Sequence, residues 1–311
     1  MIATVTLNPS LDEWVQLPVF RLGALNRASS LGRYPGGKGI NVSRVLHELG
    51  RPTIALGVAG GDDGHILRKL LRQQGITHDL VDIEGMTRSN YKILTARPRG
   101  LTELNTTGPT VQPRHLRTLW RRLAASRRCT GVALCGSLPP GVPHTIYRRW
   151  IRALRRRGLR TILDTSGQAL REGLSSRPWL IKPNRQEFEG LLNHRLGSQR
   201  RLIRALGECR HLGAELIIVS LGQDGALLAT ASQPQVWWAR PPAVRVRSAV
   251  GAGDSLVAGF LAGWRPRGLL EAFRLAVACG TAAAMTPGTE LCHRRDVRRV
   301  LPRIAIRRVS G

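Results

Sequence analysis

The chain has little acid, 20 Asp and Glu against 48 Lys and Arg in 311 residues, which leaves a formal charge of +28. It has almost no lysine either: the only ones are Lys38, Lys69, Lys92 and Lys182, so the excess is arginine. Such a charge raises nucleic acid or an anionic membrane as a partner. However, aromatic residues make up only 5% of the chain, and none interleave with the basic runs as a base-stacking platform requires. The charge is also spread along the chain instead of forming a tail, and Arg155-Arg156-Arg157 reads as a solvated helix end. Five cysteines, odd in number and without Cys-x-x-Cys spacing, suggest neither a disulfide framework nor a zinc site. Long apolar runs are missing, and the N-terminal residues lack a basic region followed by an apolar core. We therefore expect a soluble, cytoplasmic protein with buried, reduced thiols.

Short apolar runs alternate with helical periodicity almost from end to end, the pattern of an α/β fold with a mostly parallel central sheet flanked by helices. Strands are expected at 2–7, 53–58, 131–135, 160–164, 179–182 and 216–220. Val42, Val45, Leu46 and Leu49 mark a helix stopped by Gly50, and Ile66, Leu67, Leu70 and Leu71 another ended at Gly75. Two excursions, approximately 13–34 and 89–105, read as strand-like without helices. They predict a small β-sheet lid above the main sheet, and the length fits one domain over 1–311.

Three segments carry the chemistry. Ser248 to Phe260 contains Val250-Gly251-Ala252-Gly253-Asp254-Ser255, a small-residue loop delivering one carboxylate to the first turn of an apolar helix. Outward-pointing N–H groups at a helix start, backed by the helix dipole, suit an anion. A transferring phosphoryl group fits there, with Asp254 placed to take a proton from an attacking hydroxyl. Asp before Ser-Leu-Val is also an ordinary helix cap, so the other two segments decide: Pro35-Gly36-Gly37-Lys38-Gly39-Ile40-Asn41-Val42 and Lys182-Pro183-Asn184-Arg185-Gln186-Glu187. In a chain that otherwise spends arginine on positive charge, Lys38 and Lys182 fall inside these segments, where a compact ammonium differs from a planar guanidinium.

Together with Thr6-Leu7-Asn8-Pro9-Ser10-Leu11-Asp12, Thr87-Arg88-Ser89-Asn90, Gly136-Ser137-Leu138-Pro139-Pro140-Gly141 and Ser220-Leu221-Gly222, these segments resemble the PfkB branch of the ribokinase-like carbohydrate kinases along essentially the whole chain. The resemblance implies an ATP-dependent kinase with Asp254 as general base and the N–H groups of Gly251, Ala252 and Gly253 as an anion hole. It assigns Asp12, Gly37, Lys38 and Asn41 to the sugar phosphate, with Arg27 and Arg88 on its phosphate group. Lys182, Asn184, Ser220, Gly222 and Gly225 are assigned to ATP, with residues 280–288 closing over the adenine. Asn184 and Glu187 are assigned to Mg²⁺ through its waters, and a monovalent cation such as K⁺ to backbone carbonyls near Ser248 and Val250.

The resemblance also implies a homodimer through the lid. Gly36-Gly37-Lys38-Gly39 and Leu25-Asn26-Arg27 look like kinases of fructose 1-phosphate and tagatose 6-phosphate, whereas Pro287-Gly288-Thr289-Glu290-Leu291-Cys292 and Thr165-Ser166-Gly167-Gln168-Ala169-Leu170 look like the minor 6-phosphofructokinase. Fructose 1-phosphate leads, with fructose 6-phosphate and tagatose 6-phosphate as alternatives. The distant alternative is a basic nucleic-acid-binding regulatory protein on a kinase fold.

Overall fold

The computed structural model describes residues 1–126 and 128–310. A ten-stranded sheet forms the centre. Its strands are β1 (Ile2–Thr6), β4 (Thr53–Ala59), β5 (His78–Asp82), β8 (Gly131–Cys135), β9 (Arg160–Asp164), β10 (Leu180–Ile181), β11 (Leu216–Ser220), β12 (Ala226–Thr230), β13 (Gln233–Arg240) and β14 (Ala305–Val309). Their order is β14-β13-β12-β11-β10-β9-β8-β1-β4-β5. From β5 to β11 every pairing is parallel, while β12, β13 and β14 are antiparallel. The parallel strands read as continuous apolar runs because both faces are covered.

On one face lie α3 (Pro113–Ala125), α4 (Ile146–Arg156), α5 (Gly167–Leu174), α6 (Arg185–Leu192) and α7 (Gln199–Glu208). On the other lie α1 (Lys38–Glu48), α8 (Ala252–Gly263), α9 (Leu269–Met285) and α10 (Arg294–Val300). In α4 the apolar Tyr147, Trp150, Ile151 and Leu154 fall on one stripe and are buried, so its arginines are left to solvent. α2 (Gly61–Gln73) covers a third, smaller cluster beside β4 and β5 through Leu67 and Leu71. All five cysteines are free and buried, and no helix among the described residues is long and apolar enough to cross a membrane.

A second sheet of four strands, ordered β3-β2-β6-β7, is built from β2 (Ser10–Leu17), β3 (Ser30–Gly36), β6 (Arg88–Ala96) and β7 (Arg99–Asn105). These strands come from the two stretches that broke the alternation in the sequence. The antiparallel strands β12 to β14 escaped the sequence reading. β14 is Ala-Ile-Arg-Arg-Val on a sheet edge, where charged residues face solvent and mask the strand pattern. β10 is shorter than the expected 179–182, although an isolated bridge from Asn184 to Ser220 prolongs the pairing.

Candidate active site

The sequence segments converge where β1, β8, β9, β10 and β11 end, beyond the carboxyl edge of the sheet, the place where open α/β sheets bind ligands. α8 starts there. Gly251 caps it at φ 73°, a left-handed conformation that glycine adopts without penalty. A Cβ at that position would run into the Leu291 side chain. Asp254 follows in the first turn, buried, with its Oδ2 accepting from Asn41 Nδ2 at 2.8 Å. Burial first, then the nearby Asp164 carboxylate, push the Asp254 pKa up to about 6, against the pull of Lys38, the Asn41 bond and Lys182. A carboxylate with a pKa near neutrality is a competent proton acceptor.

α1 starts beside α8, on the same face of the sheet. Its cap, Gly37, has φ 108°, and a Cβ there would lie 2.8 Å from Thr6 Cγ2, so the chain can pass this close to β1 only as glycine. The turn aims Lys38 at Asp164, Nζ to Oδ1 at 3.1 Å. Lys182, just beyond β10, approaches the same oxygen at 3.6 Å and is itself buried. Asp164 is the residue the sequence reading missed. It closes β9 as the polar end of Thr-Ile-Leu-Asp, is only 1% exposed, and stands between the two lysines picked out by their rarity. Burial would raise its pKa, but Lys182 and Lys38 outweigh burial and hold it below the ordinary value. Asp164 in turn raises the pKa of Lys38. The pocket thus sets one ionised carboxylate and two ammonium groups around a second carboxylate whose ionisation they tune.

Asp12 lies on β2, buried, with Oδ1 accepting from Ser10 Oγ at 2.9 Å and from Asn90 Nδ2 at 3.4 Å. Arg88, at the start of β6, donates to the carbonyls of Thr106 and Asn8 at 3.1 and 3.2 Å, and its Nε is buried without a partner. Asn8 Nδ2 reaches Ser137 Oγ at 3.2 Å, and Asn8 Oδ1 and Asn90 Oδ1 are likewise buried and unpaired. This is a polar nest of donors and acceptors left open beside the small sheet. Asn8, Asn90 and Ser137 were quoted in the sequence motifs without a role. Arg27 is not brought to this cluster; it is exposed on residues 18–29 between β2 and β3.

A cavity of about 300 Å³ opens beyond the ends of β10 and β11, lined by Asn184, Arg185, Gln186, Gln199, Ser220, Leu221, Gly222 and Asp224. It joins Asn184, Ser220 and Gly222, as expected, but not Gly225, which closes the turn from β11 into β12 at φ 85°. Lys182 is turned toward Asp164 instead of lining it. Asn184 caps α6 in a reciprocal box: Asn184 Oδ1 accepts from Glu187 N and Glu187 Oε2 from Asn184 N, each at 2.8 Å. The pair therefore has a structural job, with the other Glu187 oxygen outside the box. Residues 286–292 follow α9 and pack onto the turn that opens α8 through Leu291 against Gly251. Among the described residues no group of three or more His, Cys, Asp or Glu could hold a metal by itself.

The family model described as pfkB family carbohydrate kinase matches residues 6–295. A protein of Bacillus subtilis named 1-phosphofructokinase is 37% identical over 310 residues, 99% of this chain and 100% of that one. Among solved structures, phosphofructokinase-2 from Escherichia coli in complex with potassium is 32% identical with a TM-score of 0.89. The same protein in complex with fructose-6-phosphate is 31% identical with a TM-score of 0.88. Each alignment covers 97% of this chain and 98% of the other.

Proposed function

This chain belongs to the pfkB family of carbohydrate kinases, with the ribokinase-like fold, and we propose that it is a 1-phosphofructokinase: it transfers the γ-phosphoryl group of ATP to the free primary hydroxyl of fructose 1-phosphate, giving fructose 1,6-bisphosphate and ADP. The observation that carries the chemistry is the buried Asp254 carboxylate at the start of α8, with two lysines from separate motifs gathered on Asp164 beside it. Asp254 takes the hydroxyl proton as the oxygen attacks in line. The N–H groups of Gly251, Ala252 and Gly253 meet the charge that builds on the transferring group. Lys38 and Lys182 bring positive charge to the same phosphates, and Asp164 keeps both ammonium groups where they serve. The sugar lies against Asp12, Gly37 and Asn41, with Arg88 on its phosphate. The nucleotide takes the cavity at Asn184, Ser220 and Gly222.

Mg²⁺ keeps most of its waters and asks for few protein ligands, which suits the Glu187 oxygen outside the capping box and the Asn184 amide. Held there with ATP, it would neutralise charge on the nucleotide phosphates. A potassium ion is proposed at the carbonyls near Ser248 and Val250, a loop fixed where Arg247 N and Ser248 N both donate to Ala284 O. We place the protein in the cytoplasm, and the lid supports a homodimer. Phe20, Leu22, Leu25, Leu31, Tyr91 and Leu104 are exposed on or beside the small sheet, Leu22 at 93% and Leu25 at 76%, an apolar surface that pairing would cover. Arg27 sits within this surface, so its phosphate role requires the partner's cleft.

The sugar phosphate is proposed from the relative named 1-phosphofructokinase, which the chain matches end to end. Fructose 6-phosphate is the second reading, favoured by the likeness to the fructose-6-phosphate complex. ADP release with Mg-ATP against fructose 1-phosphate, fructose 6-phosphate, tagatose 6-phosphate and free fructose tests it. Highest kcat/KM on fructose 1-phosphate is expected; a preference for either other phosphate overturns the substrate, and silence on all of them overturns the activity. Leu25→Asp should yield monomers by light scattering, and an unchanged oligomer removes the lid as the interface.

A further inference from the structure

We propose that Arg44 is a positioning residue for the reaction: it fixes the Asn41 side chain so that its N–H, and not its oxygen, meets Asp254, and it anchors that pair to the segments on either side of the cleft. The inference rests on the reading of Asp254 as the base.

Arg44 lies one turn beyond Asn41 on α1 and is buried, 9% exposed. A guanidinium can only donate. Its Nη1 is 3.2 Å from Asn41 Oδ1, so the amide oxygen is committed to Arg44 and Nδ2 is left for Asp254 Oδ2. With the amide flipped, an oxygen would face a carboxylate oxygen, and the base would lose its donor. The same Nη1 lies 3.2 Å from the Pro35 carbonyl, just before the turn into α1, and 3.2 Å from the Thr289 carbonyl, in the segment that packs on the catalytic turn. Nε donates to Gln74 Oε1 at the end of α2, 2.9 Å away. One buried side chain therefore joins the lid strand β3, α1, α2 and the segment 286–292.

No ion pair of Arg44 with a carboxylate is formed among the described residues; Asp12, Tyr34, Asp254 and Glu290 act on it from longer range. Burying a charge this way is costly, and an apolar residue of similar length would fill the space at lower cost. Packing alone does not call for arginine here. Burial draws its pKa down to about 10, which leaves it charged at neutral pH. The other groups facing Asp254 are Asp164 from β9, Lys182 after β10, and Lys38 and Asn41 from α1. Of these, Arg44 bonds only Asn41, so a change at Arg44 leaves the groups of Asp164, Lys182 and Lys38 themselves intact.

The test is kcat and KM against pH for the wild type, Arg44→Gln, Arg44→Lys and Asp254→Asn. Arg44→Gln should lower kcat about tenfold or more through misplacement of the base, leave KM for ATP within about threefold, and move the acid limb to higher pH, because a lost charge and a lost donor both hinder ionisation. Arg44→Lys keeps the charge, so the limb should return toward the wild type while kcat stays low, since lysine has no second nitrogen to hold Gln74 and its ammonium lacks the planar fork that fixes Nη1 between Asn41, Pro35 and Thr289. If Arg44→Gln does not fold, Arg44→Lys decides: lowered kcat with unchanged KM for ATP supports the inference, and wild-type kcat overturns it. Wild-type kcat and limb in Arg44→Gln, with Asp254→Asn inactive, overturn the role of Arg44 alone. Activity retained by Asp254→Asn overturns the base and this inference with it.

Discussion

Asp254→Asn separates catalysis from stability in one substitution. The carboxyl is buried and its pKa stands at about 6 instead of 3.8. At neutral pH the folded protein therefore holds a carboxylate that the unfolded chain ionises more easily. At about 1.4 kcal/mol per pKa unit, the penalty is about 3 kcal/mol. The sign follows from the raised pKa. Below the unfolded value both states are protonated and nothing is lost. Between the two values the penalty grows, and above about pH 6 it is complete. An isosteric amide never ionises, so Asp254→Asn should be more stable than the wild type near pH 7.5, by up to about 3 kcal/mol, and the gap should close near pH 4. Its kcat should fall by roughly 10²–10⁴. Urea unfolding at the two pH values and steady-state ADP release measure the two quantities. A variant that keeps kcat within tenfold of the wild type refutes the base. A variant that is less stable than the wild type near pH 7.5 refutes the account of a carboxylate strained by burial.

Three further outcomes follow from the same cluster. Asp164→Asn removes a negative neighbour of Asp254, so the acid limb of the kcat profile should move to lower pH; a limb that stays in place would show that the two carboxylates do not interact. Lys182→Met leaves the fully buried Asp164 with Lys38 alone and should cost about 3 kcal/mol in urea unfolding, against under 1 kcal/mol if the pair is only a surface contact. Gly251→Ala places a Cβ against Leu291 at a left-handed φ, so kcat/KM should drop at least tenfold and the midpoint of thermal unfolding should fall; wild-type values for both would mean that the turn has room to relax.

Much of the site was legible because its parts are local. The Gly-Ala-Gly-Asp turn is glycine chemistry written in consecutive residues, and the capping box at Asn184 and Glu187 spans a single turn. Lys38 and Lys182 stood out only because the chain uses lysine so sparingly. Arg44 had no such contrast: in a chain with this much arginine, one more on a helix gives no signal, although its burial makes it unusual. Asp164 ended an apolar strand of an α/β sheet, and that position was the available clue. Arg27 illustrates the converse, a residue matched by motif that stands exposed on residues 18–29 between β2 and β3. The edge strand β14 was hidden because a strand exposed to solvent loses the apolar alternation that periodicity detects, whereas β12, inside the sheet and buried, was an apolar run that the reading passed over.

The sequence by itself determined the alternating elements, the small second sheet, the turns that need glycine and the family to which the chain belongs, because each of these is encoded over a few neighbouring residues or in an ordered set of motifs. Tertiary structure alone decided which charges meet. Asn41 and Asp254 are 213 positions apart and Lys38 and Asp164 are 126 apart. They touch because the sheet order sets the ends of β1, β8, β9 and β10 side by side and turns α1 and α8 toward them. The ionisation of Asp254 follows from that juxtaposition: desolvation and Coulomb interaction depend on distance through the fold, and no spacing along the chain records it.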